Sequence, residues 1–465
     1  MKNKSALALI AASTLIAHTA WALPSARDRV YTADQNSNTI SVFNPASNTL
    51  VGQIRLGNPR PDVLSPLYKG QINVHGMGFS PDHKTLLAIS NGSNSVVFID
   101  TATNKVKGTT YVGRSPHEGF FTADGKEVWV VVRGEDYISV IDPVTFKETR
   151  RIQTDLGPGM VQFHPAGKLA FVVSSFTPMV DVIDVATHEV IKRIKVVSPF
   201  SPFLQFTPDF SEVWMTHKDV GKVTRIDTKT LEVIGVFDAG FISNHLAFAN
   251  FRGQTLAYVT IGGENVVKVF TTDKVPRLLA SIATGALPHG IWASDDHSRM
   301  YVGLENGDGV DVIDTASNKV IAHMAGGQAP QALVYVSNVV ESGDGANGTA
   351  NLVPRSNNEP VNIGLKPVIG EGRGFVVLRN LGIVDALEVA LFKLKPETVY
   401  TVYLEGQGTV LGRLKTDVKG ATNSTMIGPV REAVKADASI KTQRLIIMEG
   451  NKAVSAEQAV MVSTN

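Results

Sequence analysis

The sequence predicts an all-β protein: a seven-bladed β-propeller with N/C-terminal closure of its first blade, followed by a small C-terminal β-sandwich. Two observations support this prediction, because a fixed period of tens of residues is typical of solenoids, arrays and propellers. Each repeat opens a unit of short strands, and the last repeat supplies one strand with no unit after it. Seven segments recur at steps of 42 or 44 residues, and their third residues are His75, His117, Gly159, Phe203, His245, His289 and Gln331.

Composition is ordinary for a folded protein. The chain has 465 residues, of which 43% are hydrophobic and 19% charged, and its formal net charge is +1. A chain so close to neutral has no overall positive electrostatic potential to attract nucleic acid, so we expect no nucleic-acid partner. The absence of cysteine excludes disulfides, thiolate metal ligands and thiol nucleophiles.

Residues 1–22 have the pattern of a secretory signal peptide. Lys2 and Lys4 precede a short apolar run from Ala6 to Ala17, and Ala20-Trp21-Ala22 is an A-x-A cleavage site. Neither this run nor a later one is long enough for a membrane span. The pattern predicts export to a bacterial periplasm.

Each repeat has the same order of strands. Strand A is apolar and ends in a turn such as Ser80-Pro81-Asp82, and strand B is almost continuously apolar, as in VWVVV from Val128. Strand C ends in Ile-Asp or a relative, and strand D is more charged, which indicates an outer edge. Seven B strands are expected, near Tyr31, Leu87, Trp129, Ala170, Trp214, Ala257 and Tyr301.

The two chain ends are expected to complete one blade. The first unit lacks its own strand A, and the segment 331–336 supplies one. Pairing of 331–336 beside 30–33 would close the ring, with the propeller spanning 23–337.

The segments VYTADQNSNTISVFNPASNTLVGQIRLG and VIDTASNKVIAHMAGG resemble the YVTN-repeat (YncE-like) family of β-propellers. The resemblance covers about residues 28–337 and implies the propeller fold. It implies no activity, since propellers carry many unrelated functions.

Three segments break the repeat. Residues 58–73 are rich in proline and polar residues, and either partly cover the channel mouth or form a plain surface loop. Residues 338–350 form a Gly/Ser/Asn-rich linker. Residues 351–465 again contain short strands, which predict a C-terminal β-sandwich domain that serves as a docking or stabilising module.

The histidines are the candidate functional residues. At the start of strand A they should face the central channel, where imidazoles from opposite walls can meet one ion. A set without carboxylate or thiolate favours copper or iron, with zinc as the alternative. A water-filled polar channel, an organic-ligand site without metal, and simple duplication of a Pro-His-Gly turn are competing interpretations. The predicted metal ligands are His75, His117, His245 and His289.

Glu118 and Glu305 are candidates for orienting these ligands, because a metal-bound histidine usually donates its other N–H to a carboxylate or carbonyl. Other charged or polar residues of the B–C loops are expected to be solvated. They are Arg133, Glu135, Asp136, His217, Lys218, Asp219, Glu264 and Asp308.

Two functions follow as hypotheses. The first is a periplasmic metalloprotein with a redox or oxygenase-type reaction on a small molecule. The alternative is a non-catalytic scaffold for a protein or envelope partner. A lactonase- or lyase-type enzyme is disfavoured because the ring of seven positions has no acidic residue. The sequence identifies no catalytic residue and leaves open whether the protein is an enzyme.

Overall fold

The computed structural model describes residues 24–56, 73–251, 253–343, 346–355, 361–380, 385–405, 409–428, 443–451 and 456–464. The predicted signal peptide and nearly all of the loop at 58–73 lie outside these residues. In the described part of the chain, no helix is both long and apolar enough to cross a membrane.

Seven four-stranded antiparallel sheets form the blades. Blade 1 contains β1 (Arg29–Asp34), β2 (Thr39–Asn44) and β3 (Thr49–Arg55), and blade 2 contains β4 (Val74–Phe79), β5 (Thr85–Ser90), β6 (Ser95–Asp100) and β7 (Val106–Tyr111). Blade 3 contains β8 (Pro116–Phe121), β9 (Val128–Val132), β10 (Tyr137–Asp142) and β11 (Lys147–Gln153). Blade 4 contains β12 (Pro158–Phe163), β13 (Leu169–Ser174), β14 (Met179–Asp184) and β15 (Glu189–Lys195). Blade 5 contains β16 (Leu204–Phe206), β17 (Glu212–His217), β18 (Lys222–Asp227) and β19 (Glu232–Asp238). Blade 6 contains β20 (Ser243–Phe251), β21 (Gln254–Ile261), β22 (Val266–Thr271) and β23 (Leu278–Ala283), and blade 7 contains β24 (Pro288–Ala293), β25 (Arg299–Leu304), β26 (Gly309–Asp314) and β27 (Lys319–Ala325).

The two ends of the propeller sequence complete blade 1. Strand β28 (Pro330–Val336) pairs antiparallel with β1, and Tyr31 lies opposite Val334. Asp28 stabilises this closure, because it accepts hydrogen bonds from the Tyr335 hydroxyl and, at 2.8 Å, from the backbone N–H of Asn338. The predicted seven-bladed ring and its closure are confirmed.

Burial follows the predicted order of strands. The central strands are buried along their length, whereas an outer strand such as β11 buries only Ile152 completely. Trp129 and Trp214 lie in the core, and their indole N–H groups donate to Glu127 and Glu212 at 2.8 and 2.7 Å. The apolar clusters lie between neighbouring blades, so each blade is stabilised by the next.

The segment after β28 follows the outside of the propeller. It includes a short 3-10 turn at Ala346–Thr349, and Val353 forms an antiparallel bridge with Gln53 at the outer edge of blade 1. Arg355 then donates to the carbonyl of Gly326 at 2.6 Å. Gly326 belongs to the face that carries the D–A and B–C turns, which we call the upper face. The segment therefore leads the chain to the upper face.

The C-terminal domain is all-β, as predicted, but its strands form one sheet. The sheet order is β33-β32-β35-β36-β29-β30-β31-β34, and its edge strands β33 and β34 lie against each other. Two stacked sheets were expected; the sheet is instead continuous and nearly closed into a barrel, because β29 pairs with both β30 and β36 and joins the two layers. The strands are β29 (Val361–Pro367), β30 (Arg373–Asn380), β31 (Asp385–Phe392), β32 (Val399–Leu404), β33 (Thr409–Lys415), β34 (Thr422–Gly428), β35 (Leu445–Glu449) and β36 (Met461–Ser463).

The barrel packs on the upper face. Its Ala390, Phe392 and Ala421 form an apolar cluster with Ile242 from the turn before β20. Elsewhere Lys419 donates to the Val220 carbonyl at 2.5 Å. These contacts fall on blades 5 and 6, and further ones on blades 1 and 7 are described below. The barrel therefore lies over the same end of the channel as the histidines.

Candidate functional site

Each of the four histidines lies near the start of an innermost strand, at a break in register. His75 falls between Val74, which pairs with Ser90, and Gly76, which pairs with Ile89. The A–B pairs around His117, His245 and His289 break at the same place. Such β-bulges turn a side chain out of the regular alternation. The bulges therefore explain how the histidines face the channel.

The residues that lead into these bulges are strained. Asn73, Ser115 and Leu287 each precede a histidine by two positions and have φ values of 51°, 53° and 53°. Left-handed backbone is uncommon outside glycine and persists where the surrounding structure holds it in place. The upper end of each of these strands is thus a fixed turn that sets the direction of the next side chains.

The structure brings all four imidazoles together in the channel. Their side chains are buried, and the ring centres of His75 and His117 lie 4.3 Å apart, those of His245 and His289 4.7 Å apart. His75 and His289 link the two pairs at 6.4 Å. A metal bound through imidazole nitrogen at about 2.0–2.1 Å holds neighbouring ring centres roughly 4.5–5 Å apart. The two pairs are close to that separation, whereas His75 and His289, which are also neighbours around the channel, lie farther apart.

Backbone carbonyls fix the orientation of two rings. The Nδ1 of His117 lies 2.6 Å from the carbonyl oxygen of Gly159, and that of His289 lies 2.9 Å from the carbonyl of Gln331. A carbonyl only accepts, so both Nδ1 atoms carry the proton and both Nε2 atoms present a lone pair. This is the arrangement that orients metal-binding histidines in other proteins.

The position of the proton on His75 follows from that on His117. The Nε2 atoms of His75 and His117 are 2.8 Å apart. Because Nε2 of His117 is the acceptor, His75 donates from its own Nε2 and is left with an unprotonated Nδ1. That Nδ1 atom is buried and has no hydrogen-bond partner among the described residues. A buried acceptor without a partner is costly, which marks His75 as the incomplete member of the cluster.

All four imidazoles are neutral at physiological pH. Burial lowers the pKa of His75 to about 3 and lowers the pKa values of His117, His245 and His289 well below the ordinary value. A metal binds the neutral ring, so no proton has to be removed from an imidazolium first.

The side chains as they stand do not yet form a coordination sphere. In the described ranges, no group of three or more His, Asp or Glu side chains converges closely enough to hold a metal ion. The hydrogen bond between His75 and His117 occupies the two nitrogens that would face a shared ion. Their 2.8 Å separation is close to the roughly 3 Å that two nitrogen ligands of one ion keep.

Glu118 and Glu305 lie near the cluster, but neither accepts a hydrogen bond from a histidine ring. The Glu118 carboxylate accepts from the backbone N–H of Met77 at 3.1 Å, and burial raises its pKa well above the ordinary range. Glu305 is half-buried, and its Oε2 has no hydrogen-bond partner within the described residues. For His117 and His289 the orienting role falls to carbonyls 42 residues further along the chain, so the repeat period was the signal that could have identified them.

The expectation that the B–C loop residues are solvated is wrong for several of them. His217 and Asp308 are buried, whereas Arg133 and Lys218 are only partly exposed. His217 contacts the Ser201 hydroxyl at 2.9 Å and the Thr224 hydroxyl at 2.7 Å, which satisfies both ring nitrogens. It is therefore a structural residue of blade 5, whereas Asp308 binds the barrel.

Comparisons with known proteins agree with the fold. A family model described as a YNCE-like β-propeller matches residues 119–355. No curated protein matches the chain by sequence. Among solved structures, a hydrazine synthase from Kuenenia stuttgartiensis is 18% identical, with a TM-score of 0.53 over 58% of this chain and 92% of that one. A functionally unknown protein from Desulfotomaculum acetoxidans is 14% identical, with a TM-score of 0.57 over 67% of this chain and 99% of that one. At these identities the similarity shows the fold alone.

Proposed function

We propose, from the premise that the chain belongs to the YncE-like β-propeller family, that it is an exported metalloprotein whose four channel histidines bind one copper or iron ion for redox or oxygenase-type chemistry. The family indicates the scaffold, and the site has to indicate the function. The proposed ligands are His75, His117, His245 and His289.

One observation carries the proposal. Four buried, neutral imidazoles meet in the channel, and two of them have Nδ1 fixed by a carbonyl of the next blade, at 2.6 and 2.9 Å. A water-filled channel does not require this pinning. The two carbonyl contacts leave the Nε2 atoms of His117 and His289 each with a lone pair for a metal.

Ligand chemistry narrows the choice of metal. The cluster supplies nitrogen only, and the chain has no cysteine. Imidazole suits copper, iron, nickel and zinc, whereas magnesium and calcium prefer oxygen. When bound, copper or iron supplies one-electron and dioxygen chemistry, and zinc is the alternative without redox function. For His75 to turn a lone pair on Nε2 toward an ion, its proton would move from Nε2 to the unpartnered Nδ1, and the ring would stay neutral.

The architecture supports a small molecule as the substrate. The described contacts of the barrel fall on blades 1, 5, 6 and 7, and Gly159 of blade 4 lies on the other side of the channel. A small molecule can approach from this flank, and the signal peptide pattern favours the periplasm as the location.

Metal content tests the proposal. The full-length mature chain, stripped of metal and then incubated with copper or iron, should retain about one ion per chain after desalting. The double variant H75A/H289A should retain less than about a tenth of that, because a ligand is lost from each pair. The control H323A replaces an exposed histidine of outer strand β27 and should bind as the wild type does.

Two results would contradict the metal site. One is a wild-type chain that retains no metal, and the other is retention that H75A/H289A leaves unchanged. A partner protein captured equally well by wild type and H75A/H289A would favour the scaffold alternative.

A further inference from the structure

Two cationic side chains lie at the upper end of the channel without an anionic partner. Arg133 follows β9 in blade 3, and Lys218 follows β17 in blade 5. Both are partly buried, and within the described residues neither forms an ion pair or a side-chain hydrogen bond. Partly buried cations are normally paired, so this arrangement lacks a counter-charge.

Aromatic rings hold Arg133 in place. Its guanidinium lies 5.3 Å from the ring centre of Phe200 and 5.9 Å from that of Phe176. Phe176 is itself fixed, because its ring packs where a Cβ on Gly157 would be, 2.2 Å away. Contact with rings stabilises a cation while leaving its N–H groups free for another partner. The five donors of Arg133 are therefore available.

Both charges act on the histidine cluster. Arg133 and Lys218 each lower the pKa of His75, and Lys218 also lowers the pKa values of His245 and His289. Burial lowers the pKa of Lys218, Glu305 opposes that shift, and Arg133 adds to it. A metal dication on four neutral ligands would add further positive charge here. Within the described residues neither cation contacts a carboxylate, so both are able to pair with an anionic ligand.

The surroundings indicate what kind of anion fits. Leu156 and Phe176, on the blade 4 side of Arg133, are each 53% exposed. Exposed apolar side chains beside a guanidinium match a ligand that is apolar at one end and anionic at the other. A bare inorganic ion would use the cations and leave this rim without a role.

We propose that the channel mouth binds an organic carboxylate, with the carboxylate contacting Arg133 and Lys218 and the apolar body lying on Phe176 and Leu156. Arginine suits the planar carboxylate because its N–H groups can donate in parallel pairs. The inference rests on the proposed function, since it assigns the substrate class of the same site.

Calorimetric titration with benzoate tests this inference on the full-length, metal-free protein, so its outcome does not depend on metal binding. Wild type should bind benzoate and should bind the neutral isostere benzamide at least about tenfold more weakly. R133Q and K218Q should each weaken benzoate binding about tenfold or more. The control R114Q removes an exposed arginine of the upper face, already paired with Glu135, and should stay within about twofold of wild type.

The possible outcomes separate the two proposals. Equal affinity for benzoate and benzamide, or full benzoate affinity in both R133Q and K218Q, overturns the carboxylate site even if copper is bound. Inorganic phosphate binding as tightly as benzoate also overturns it, because the apolar rim then contributes nothing. Benzoate binding that needs both cations supports it even if the metal assay fails, and the mouth is then an organic-anion site without metal.

Discussion

Replacing Arg379 with glutamine is expected to lower the free energy of unfolding by about 3–5 kcal/mol, the usual cost of removing one partner from a buried ion cluster. Arg379 of the barrel is completely buried. It contacts Asp308 of blade 7, donates to the Glu305 carbonyl at 2.7 Å, and lies 3.2 Å from Glu388. Urea denaturation of the full-length chain, followed by fluorescence and circular dichroism, measures the loss.

The size of the effect follows from the charges where the barrel meets the propeller, because two carboxyl groups there face one arginine. Burial raises the pKa values of Asp308 and Glu388, and each has one buried oxygen without a partner in the described part of the chain. Asn36 of blade 1 gives Glu388 one further hydrogen bond, at 2.9 Å. Arg379 is thus the main compensation for two carboxyl groups that join the barrel to the upper face.

Two further variants make this prediction specific. R373Q changes an exposed arginine of the same strand, β30, and should cost less than about 1 kcal/mol. The triple variant R379M/D308N/E388Q removes the charges together and should recover at least half of the loss, because no buried charge remains. A loss below about 1 kcal/mol in R379Q would show that the cluster does not join the two domains.

The substitution Gly76→Ala should destabilise the propeller by about 3 kcal/mol or more. Gly76 follows His75 in the bulge, where strand A of blade 2 passes very close to strand A of blade 3. A Cβ there would lie 2.0 Å from the carbonyl oxygen of His117 and 2.8 Å from the Glu118 carboxylate. The backbone of blade 3 cannot yield without moving His117, so the variant should also lose metal.

Gly235→Ala is the matched control for this second prediction. Gly235 lies in the outer strand β19, and its added Cβ would meet only the Cδ of Arg225, at 3.7 Å. Its stability should change by less than about 1 kcal/mol. If G76A unfolds at the same denaturant concentration as G235A, the close approach of the two strands is not required.

The repeat period made much of the propeller predictable. One glycine-, proline- or histidine-marked strand start every 42 or 44 residues determined the number of blades, and the unpaired segment after Ala329 predicted the closure. Convergence of the histidines follows from the same register, because equivalent positions in a ring face the same axis. These features are repeated and local, so a single sequence contains them.

The features that were not predicted are long-range and unrepeated. Arg379 and Asp308 are 71 residues apart, and nothing in either segment indicates that the other lies beside it. The alternation of apolar residues in the C-terminal strands is equally consistent with two sheets or one barrel. Arg133 resembles an ordinary loop cation until Phe200, from another blade, is seen against it.

The most direct test of the central claim is the number of imidazole nitrogens bound to copper in the loaded protein. Electron paramagnetic resonance of the Cu(II) form, with pulsed detection of nitrogen couplings, should show about four equatorial imidazole nitrogens and a loss of that signal in H75A/H289A. H323A should give the wild-type spectrum. A spectrum of adventitious copper in the wild type, or a wild-type spectrum that H75A/H289A retains, would show that the channel histidines do not form a metal site.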